Sequence, residues 1–93
     1  QNQLAGQEMA VGRYYLKRGN PLSALKRFQA VMHDHKNTPF YPESLYRTVE
    51  TYLMMGVDSQ ALDAYNSLRK KFPDSKWMSL ASIQIKESRL KDK

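Results

Sequence analysis

An all-α chain of two helix–turn–helix repeats, closed by a fifth helix at the C-terminal end, follows from three features of the sequence. Apolar residues recur with helical periodicity rather than strand alternation. Glycine and proline punctuate those periodic runs where helices stop and start. The chain also repeats itself. Shifted by 37 residues, Tyr15 meets Tyr52, Gly19 meets Gly56, Ala24 meets Ala61, Leu25 meets Leu62, Phe28 meets Tyr65 and Val31 meets Leu68. So many coincidences between two short segments mark an internal repeat.

The first repeat covers about residues 5–36. Its first helix is expected from about Leu4 to Arg18. Gly19 suits the position just past a helix end, where a left-handed backbone is cheapest without a Cβ. Asn20 can cap the next helix, and Pro21 fits its first turn because that position has no helical N–H partner. The second helix runs to about Asp34, with Ala24, Leu25, Phe28, Val31 and Met32 as its apolar stripe. The linker Asn37-Thr38-Pro39-Phe40-Tyr41-Pro42 is too rich in proline for helix.

The second repeat covers about residues 42–73 and uses the same plan. A helix begins near Pro42 and Glu43, carries Leu45, Val49, Tyr52 and Leu53 inward, and ends at Gly56. Asp58 is expected to cap the next helix, with Val57 stapled on Leu62. Ala61, Leu62, Tyr65, Leu68 and Phe72 form its inner face, and Pro73 stops it. Asp74 and Ser75 offer a cap for the fifth helix, at about residues 75–91. Trp77, Leu80, Ala81 and Ile85 are its candidates for covering the open end of the second repeat.

Small residues mark close helix crossings. Ala24 and Ala61 are expected where the second helix of each pair meets the first, and Gly12 offers a notch in the first helix. Phe28 and Tyr65 are expected to fill the wedge between successive pairs. A larger side chain at Ala61 would overpack its crossing, at a cost of about 1–3 kcal/mol.

Composition narrows the function. The chain has no cysteine, which removes disulfides, thiolate nucleophiles and Cys-based zinc sites. No apolar run reaches the ~20 residues of a membrane-spanning helix, and no signal-type segment stands at the start. Gln1 rather than Met at the first position reads as processing, or as a cut from a longer chain. The net charge of +6 suits nucleic acid, an anionic membrane surface or an acidic protein partner, without choosing among them.

No catalytic, metal or cofactor residue is assigned. His33 and His35 lie two apart, on nearly opposite faces of a helix, whereas paired helical ligands sit three or four apart. Glu43 and Glu50 share a face, read as a solvated charged stripe rather than a catalytic dyad. There is no phosphate loop or nucleophile elbow. Arg69-Lys70-Lys71 and the basic run from Lys86 to Lys93 raise nucleic acid, but the aromatics have core duties and leave no stacking platform. Phe40 and Tyr41, two aromatics in a loop, are candidate partner anchors, since such side chains bury large areas with few rotatable bonds.

These residues resemble tetratricopeptide repeats. The second copy matches that pattern at Tyr52, Gly56, Ala61, Tyr65, Leu68 and Pro73, and the first at Gly12, Tyr15, Gly19, Ala24 and Phe28. The first copy departs at its end, where His35-Lys36 replaces the proline and three residues are added. It departs at its start too, where Glu8 stands in place of the opening aromatic.

A narrower resemblance is to the outer-membrane assembly lipoprotein family BamD/YfiO. It is carried by the run from Glu8 to Gly19, by Ala24 to Phe28 with the proline-containing linker after it, by Ser44 to Arg47 and Glu50 to Tyr52, and by Phe72 to Trp77. The resemblance implies a five-repeat protein on an N-terminal lipid anchor facing the periplasm, with this chain as its last repeats and the anchor outside it. It implies docking onto a periplasmic POTRA domain of the β-barrel insertase, with Arg27 at a partner contact and Lys26 beside it. An arginine fork favours a carboxylate, so an acidic partner residue is expected. The alternative is a cytosolic adaptor holding peptide tails in the groove between repeats, where Arg13 and Arg47 are the basic candidates. A basic nucleic-acid module is the more distant alternative.

Overall fold

The computed structural model describes residues 2–88. Five helices follow one another: α1 (Asn2–Lys17), α2 (Pro21–Asp34), α3 (Tyr41–Met55), α4 (Asp58–Lys71) and α5 (Lys76–Ser88). α1 packs on α2, α2 on α3, α3 on α4, and α5 on both α3 and α4. The result is a flattened stack of 38 × 29 × 17 Å. The fold is all-α and of the tetratricopeptide type. The stretch of the fifth helix expected beyond Ser88 lies outside the described residues.

The two repeats close their first helices in the same way. Gly19 and Gly56 both have φ of 76°, in the left-handed region. Gly19 N–H donates to the Leu16 carbonyl and Asn20 N–H to Tyr15; Gly56 N–H donates to Leu53 and Val57 N–H to Tyr52. This paired closure satisfies the last carbonyls of each helix, and it needs the glycine at one fixed place. The coincidences of Tyr15 with Tyr52 and Gly19 with Gly56 are therefore one turn used twice.

Helix starts are less uniform. Asn20 caps α2, its Oδ1 accepting from Ser23 N–H at 3.4 Å. Ser75 caps α5, its Oγ accepting from Met78 N–H at 3.1 Å. Asp58 does not cap α4. The turn after Gly56 makes Val57 the capping position, so Asp58 is the first helical residue and acts only as a charge at the positive helix end.

Three core clusters run along the stack. Ala5, Met9, Leu16, Ala24, Phe28 and Val31 close the first pair. Leu45, Tyr46, Leu68, Met78 and Ala81 join α3, α4 and α5, while Val49, Ala61, Ala64 and Ile85 extend that junction. Ala24 and Ala61 are fully buried at their crossings. Phe28 is placed differently from expectation. It lies within the first pair, its ring filling the Gly12 notch, where an added Cβ would come within 2.8 Å of Cδ1 and 2.9 Å of Cζ. On α5 the inner face is Met78, Ala81 and Ile85, whereas Leu80 is exposed, one step too far round the helix.

α3 is packed by α2, α4 and α5, so it buries polar residues as well as apolar ones. Ser44, Thr48 and Thr51 lie almost wholly inside. Each hydroxyl donates to a carbonyl about one turn back: Ser44 to Tyr41 at 2.6 Å, Thr48 to Ser44 at 2.8 Å and Thr51 to Arg47 at 2.7 Å. These bonds let a helix surrounded by neighbours carry hydroxyls without an unmet donor. No helix among the described residues is long and apolar enough to cross a membrane.

Candidate protein-binding surfaces

α1 and α3 lie side by side with a groove of about 680 Å³ between them, lined by Ala10, Arg13, Tyr14, Leu16, Lys17, Arg47, Glu50 and Met54. A chain of charged contacts forms its floor. Arg13 of α1 donates from Nη1 to Glu43 Oε2 at 2.9 Å, and Arg47 donates from Nε to the same oxygen at 3.1 Å. Arg47 Nη1 reaches Glu50 Oε1 at 3.0 Å, and Glu50 Oε2 accepts from Gln84 of α5 at 3.4 Å. Three helices from the two repeats and the closing element are thus tied along one side.

Glu43 was expected on a solvated stripe, and the structure overturns that. Its residue is 6% exposed, covered where α1 and α3 meet. Burying a carboxylate is costly unless it is paired, and two guanidinium groups supply the pairing.

Arg47 is held from several directions. Its guanidinium carbon lies 5.2 Å from the Tyr46 ring centre and 5.9 Å from that of Trp77, rings 5.6 Å apart. Burial works against its charge, but the hydrogen bonds it donates to Glu50 and Glu43 outweigh that and hold its pKa above the usual arginine value. The Tyr46 phenol is pushed up from 10.0, first by burial and then by the Glu50 charge.

The second surface lies on the outer side of the first pair. Lys26 and Arg27 are exposed on α2. Arg27 Nη1 donates to Glu8 Oε1 of α1 at 3.0 Å, with the side chains 46% and 29% exposed. That is the one hydrogen bond of Arg27 among the described residues, so most of its five N–H donors face outward. Beside the pair is a concavity of about 330 Å³ lined by Leu4, Gln7, Glu8, Val11, Arg27 and His35.

The two aromatics expected in a loop sit at the junction between repeats, but only Phe40 is outside a helix. α3 starts at Tyr41, earlier than the proline-rich linker implied, because Pro42 falls in the first turn, where a proline is tolerated. Phe40 packs on the first core cluster, its ring 3.4 Å from where a Cβ on Gly6 would stand. Tyr41 meets Phe72 edge-on at 5.4 Å between ring centres. Both remain partly exposed. His33 is exposed in the last turn of α2, while His35 ends that helix with its N–H on the Val31 carbonyl. Among the described residues no three His, Asp or Glu side chains gather in a way that could hold a metal ion.

The five sequence-derived contact candidates therefore fall in three places. Lys26 and Arg27 share one exposed face, Phe40 and Tyr41 a junction, and Arg47 the groove floor. Sequence reasoning missed the partners. Glu8 was noted as a departure from the repeat pattern and as part of the family-like run, and Glu43 as a helix-start acid on a solvated stripe, neither as an arginine's partner. Opposite charges on neighbouring helices were the available signal, but their pairing needs the crossing geometry.

An all-α stack of this kind, with a charged groove on one side and an arginine on the other, is a helical-repeat module of the sort used to hold other proteins. The chain belongs to the YfiO family of outer membrane lipoproteins, which it matches over residues 1–66. It is 42% identical over 83 residues to the outer membrane protein assembly factor BamD of Rickettsia prowazekii, covering 89% of this chain and 33% of that protein. It is 46% identical over 76 residues to BamD of Caulobacter vibrioides, covering 82% and 25%. With BamD of Neisseria meningitidis serogroup A the identity is 36% over 78 residues, covering 84% and 29%. The chain thus spans a third or less of the length of these curated relatives. No solved structure matches it.

Proposed function

We infer that the chain is a scaffold element of outer-membrane protein assembly, at the periplasmic face of that membrane. Its work is positional rather than catalytic: it docks onto a POTRA domain of the β-barrel insertase and holds it at a set angle. The family membership and relatives named as assembly factors support the general role. The observation that carries the docking surface is the state of Arg27. Arg13 and Arg47 are spent on Glu43 and Glu50, whereas Arg27 keeps an open edge of its guanidinium beside exposed Lys26. Phe40, Tyr41 and Arg47 serve the docking as its frame, fixing the second repeat against the first.

The test is titration of the insertase's POTRA domains with the chain and with Arg27→Ala. Saturable binding that weakens roughly ten- to hundredfold fits loss of a charge-assisted bond. Saturable binding that the substitution leaves unchanged puts the interface elsewhere. No binding by folded chain removes the docking reading.

The α1–α3 groove favours a second reading, in which it holds an extended peptide bearing a carboxylate. Arg13, Lys17 and Arg47 outnumber Glu43 and Glu50 there, and Tyr14 and Met54 are about half exposed. Loss of peptide binding on Lys17→Ala, with POTRA binding intact, would separate the two.

A further inference from the structure

We propose that Glu8 is a positioning residue: it holds the Arg27 guanidinium so that its free edge faces outward beside the Leu4–Val11 concavity, ready for a partner side-chain carboxylate flanked by an apolar residue. The proposal rests on the docking reading, with its acidic partner residue, and adds to it a positioning residue and the apolar neighbour of that partner carboxylate.

Glu8 stands where the repeat pattern has an aromatic, a place normally given to packing between helices. Here it carries a charge, and the charge is used. Its Oε1 accepts from Arg27 Nη1 across the α1–α2 crossing, between residues 19 apart in sequence. An exposed pair of this kind adds little to stability. Its effect on Arg27 is larger, because an unpaired arginine has several rotatable bonds whose freedom is lost when a partner binds. A contact at Nη1 removes part of that freedom in advance. The guanidinium is planar, so holding one corner also sets the direction of the edge formed by Nε and the other Nη.

The surroundings specify what that edge meets. Leu4 is 54% exposed and borders the same concavity as Glu8 and Arg27, with half-buried Val11 beside it. A partner that places a carboxylate on the guanidinium edge brings its neighbouring side chain over this apolar floor. Lys26, exposed and next in sequence, adds positive charge to the approach.

The experiment pairs an affinity cycle with a measurement on the free chain. POTRA domains of the insertase are titrated at low salt with wild type, Glu8→Ala, Arg27→Ala and the double variant, each checked for an unchanged helical spectrum. Nitrogen-15 relaxation of the Arg27 Nε–H reports side-chain order without partner. The expected result is a roughly five- to tenfold loss for Glu8→Ala in the wild-type background, less than twofold in the Arg27→Ala background, and a more mobile Arg27 Nε–H in Glu8→Ala. Equal losses in both backgrounds would overturn the proposal, since Glu8 would then act without Arg27. Tighter binding by Glu8→Ala would overturn it too, making Glu8 a competitor for the fork. If Arg27→Ala itself binds normally, the docking surface fails and the pair has no such role, while the relaxation data still show whether Glu8 orders Arg27.

Discussion

Gly12 shows how much one residue can carry when a neighbour needs its space. A Cβ at this position would stand 2.8 Å from Phe28 Cδ1, and Phe28 is fully buried with no room to swing away. Alanine favours helix over glycine by about 1 kcal/mol, but overpacking a filled core costs about 1–3 kcal/mol. The steric term wins here because the ring is enclosed. Gly12→Ala is expected to lower the thermal midpoint, and Phe28→Leu in the same chain to restore part of it. A midpoint raised by Gly12→Ala would mean that the pair can move apart freely.

Glu43 makes a complementary case in charge. Glu43→Gln keeps the shape but leaves two arginines sharing a neutral acceptor, at an expected cost of about 1–3 kcal/mol for charged hydrogen bonds. Urea unfolding checks it; an unchanged midpoint would show that solvent replaces the carboxylate. Gly12 as a notch was legible in the sequence, because small residues on apolar faces have few other uses. Its contact with Phe28 was not legible, since the periodicity of one helix does not say which neighbour fills its gap. Glu43 was misread for the same reason: an acid in a first helical turn is ordinarily solvated, and only the approach of α1 buries it.

At the scale of elements, α3 departs most from what its pattern implied. Leu45 and Val49 were identifiable as core from spacing, but buried Ser44, Thr48 and Thr51 were not. Hydroxyls read as surface until a helix has neighbours on several sides. Tyr46, buried on the same helix against Trp77 of α5, gives a pH dependence. Its pKa is raised from 10.0, so the fold favours the neutral phenol. That contribution is fully present below the unfolded value and is lost as pH rises through the folded one. Stability should therefore fall above pH 10, and fall less steeply in Tyr46→Phe, in urea titrations on either side of that pH. Parallel losses in both chains would assign the alkaline transition to other groups. At the start of α5, Ser75→Ala removes the cap and should cost about 1 kcal/mol, read as a lower thermal midpoint. The cap itself was visible beforehand in the Asp74-Ser75 pair after Pro73.

Across the whole molecule, architecture was more legible than surface. The repeat of 37 residues and the two turn glycines mark helix pairs before any coordinates. The surfaces depend on which charges cancel, and that is set by distances between helices. Arg13, Arg27 and Arg47 look alike in sequence. Arg13 and Arg47 are drawn into the Glu43–Glu50 chain that ties α1 through α3 to α5, and Arg27 keeps its open edge. That chain lies along one side of the stack while Arg27 lies on the outer side of the first pair, so the tied frame and the proposed contact face are separate. The most direct test of the docking account is an amide chemical-shift map of the chain during titration with the insertase's POTRA domains. The account predicts the largest changes on the exposed face around Glu8, Lys26 and Arg27. Changes centred instead on Tyr14 and Met54 in the groove, or none at all, would contradict it.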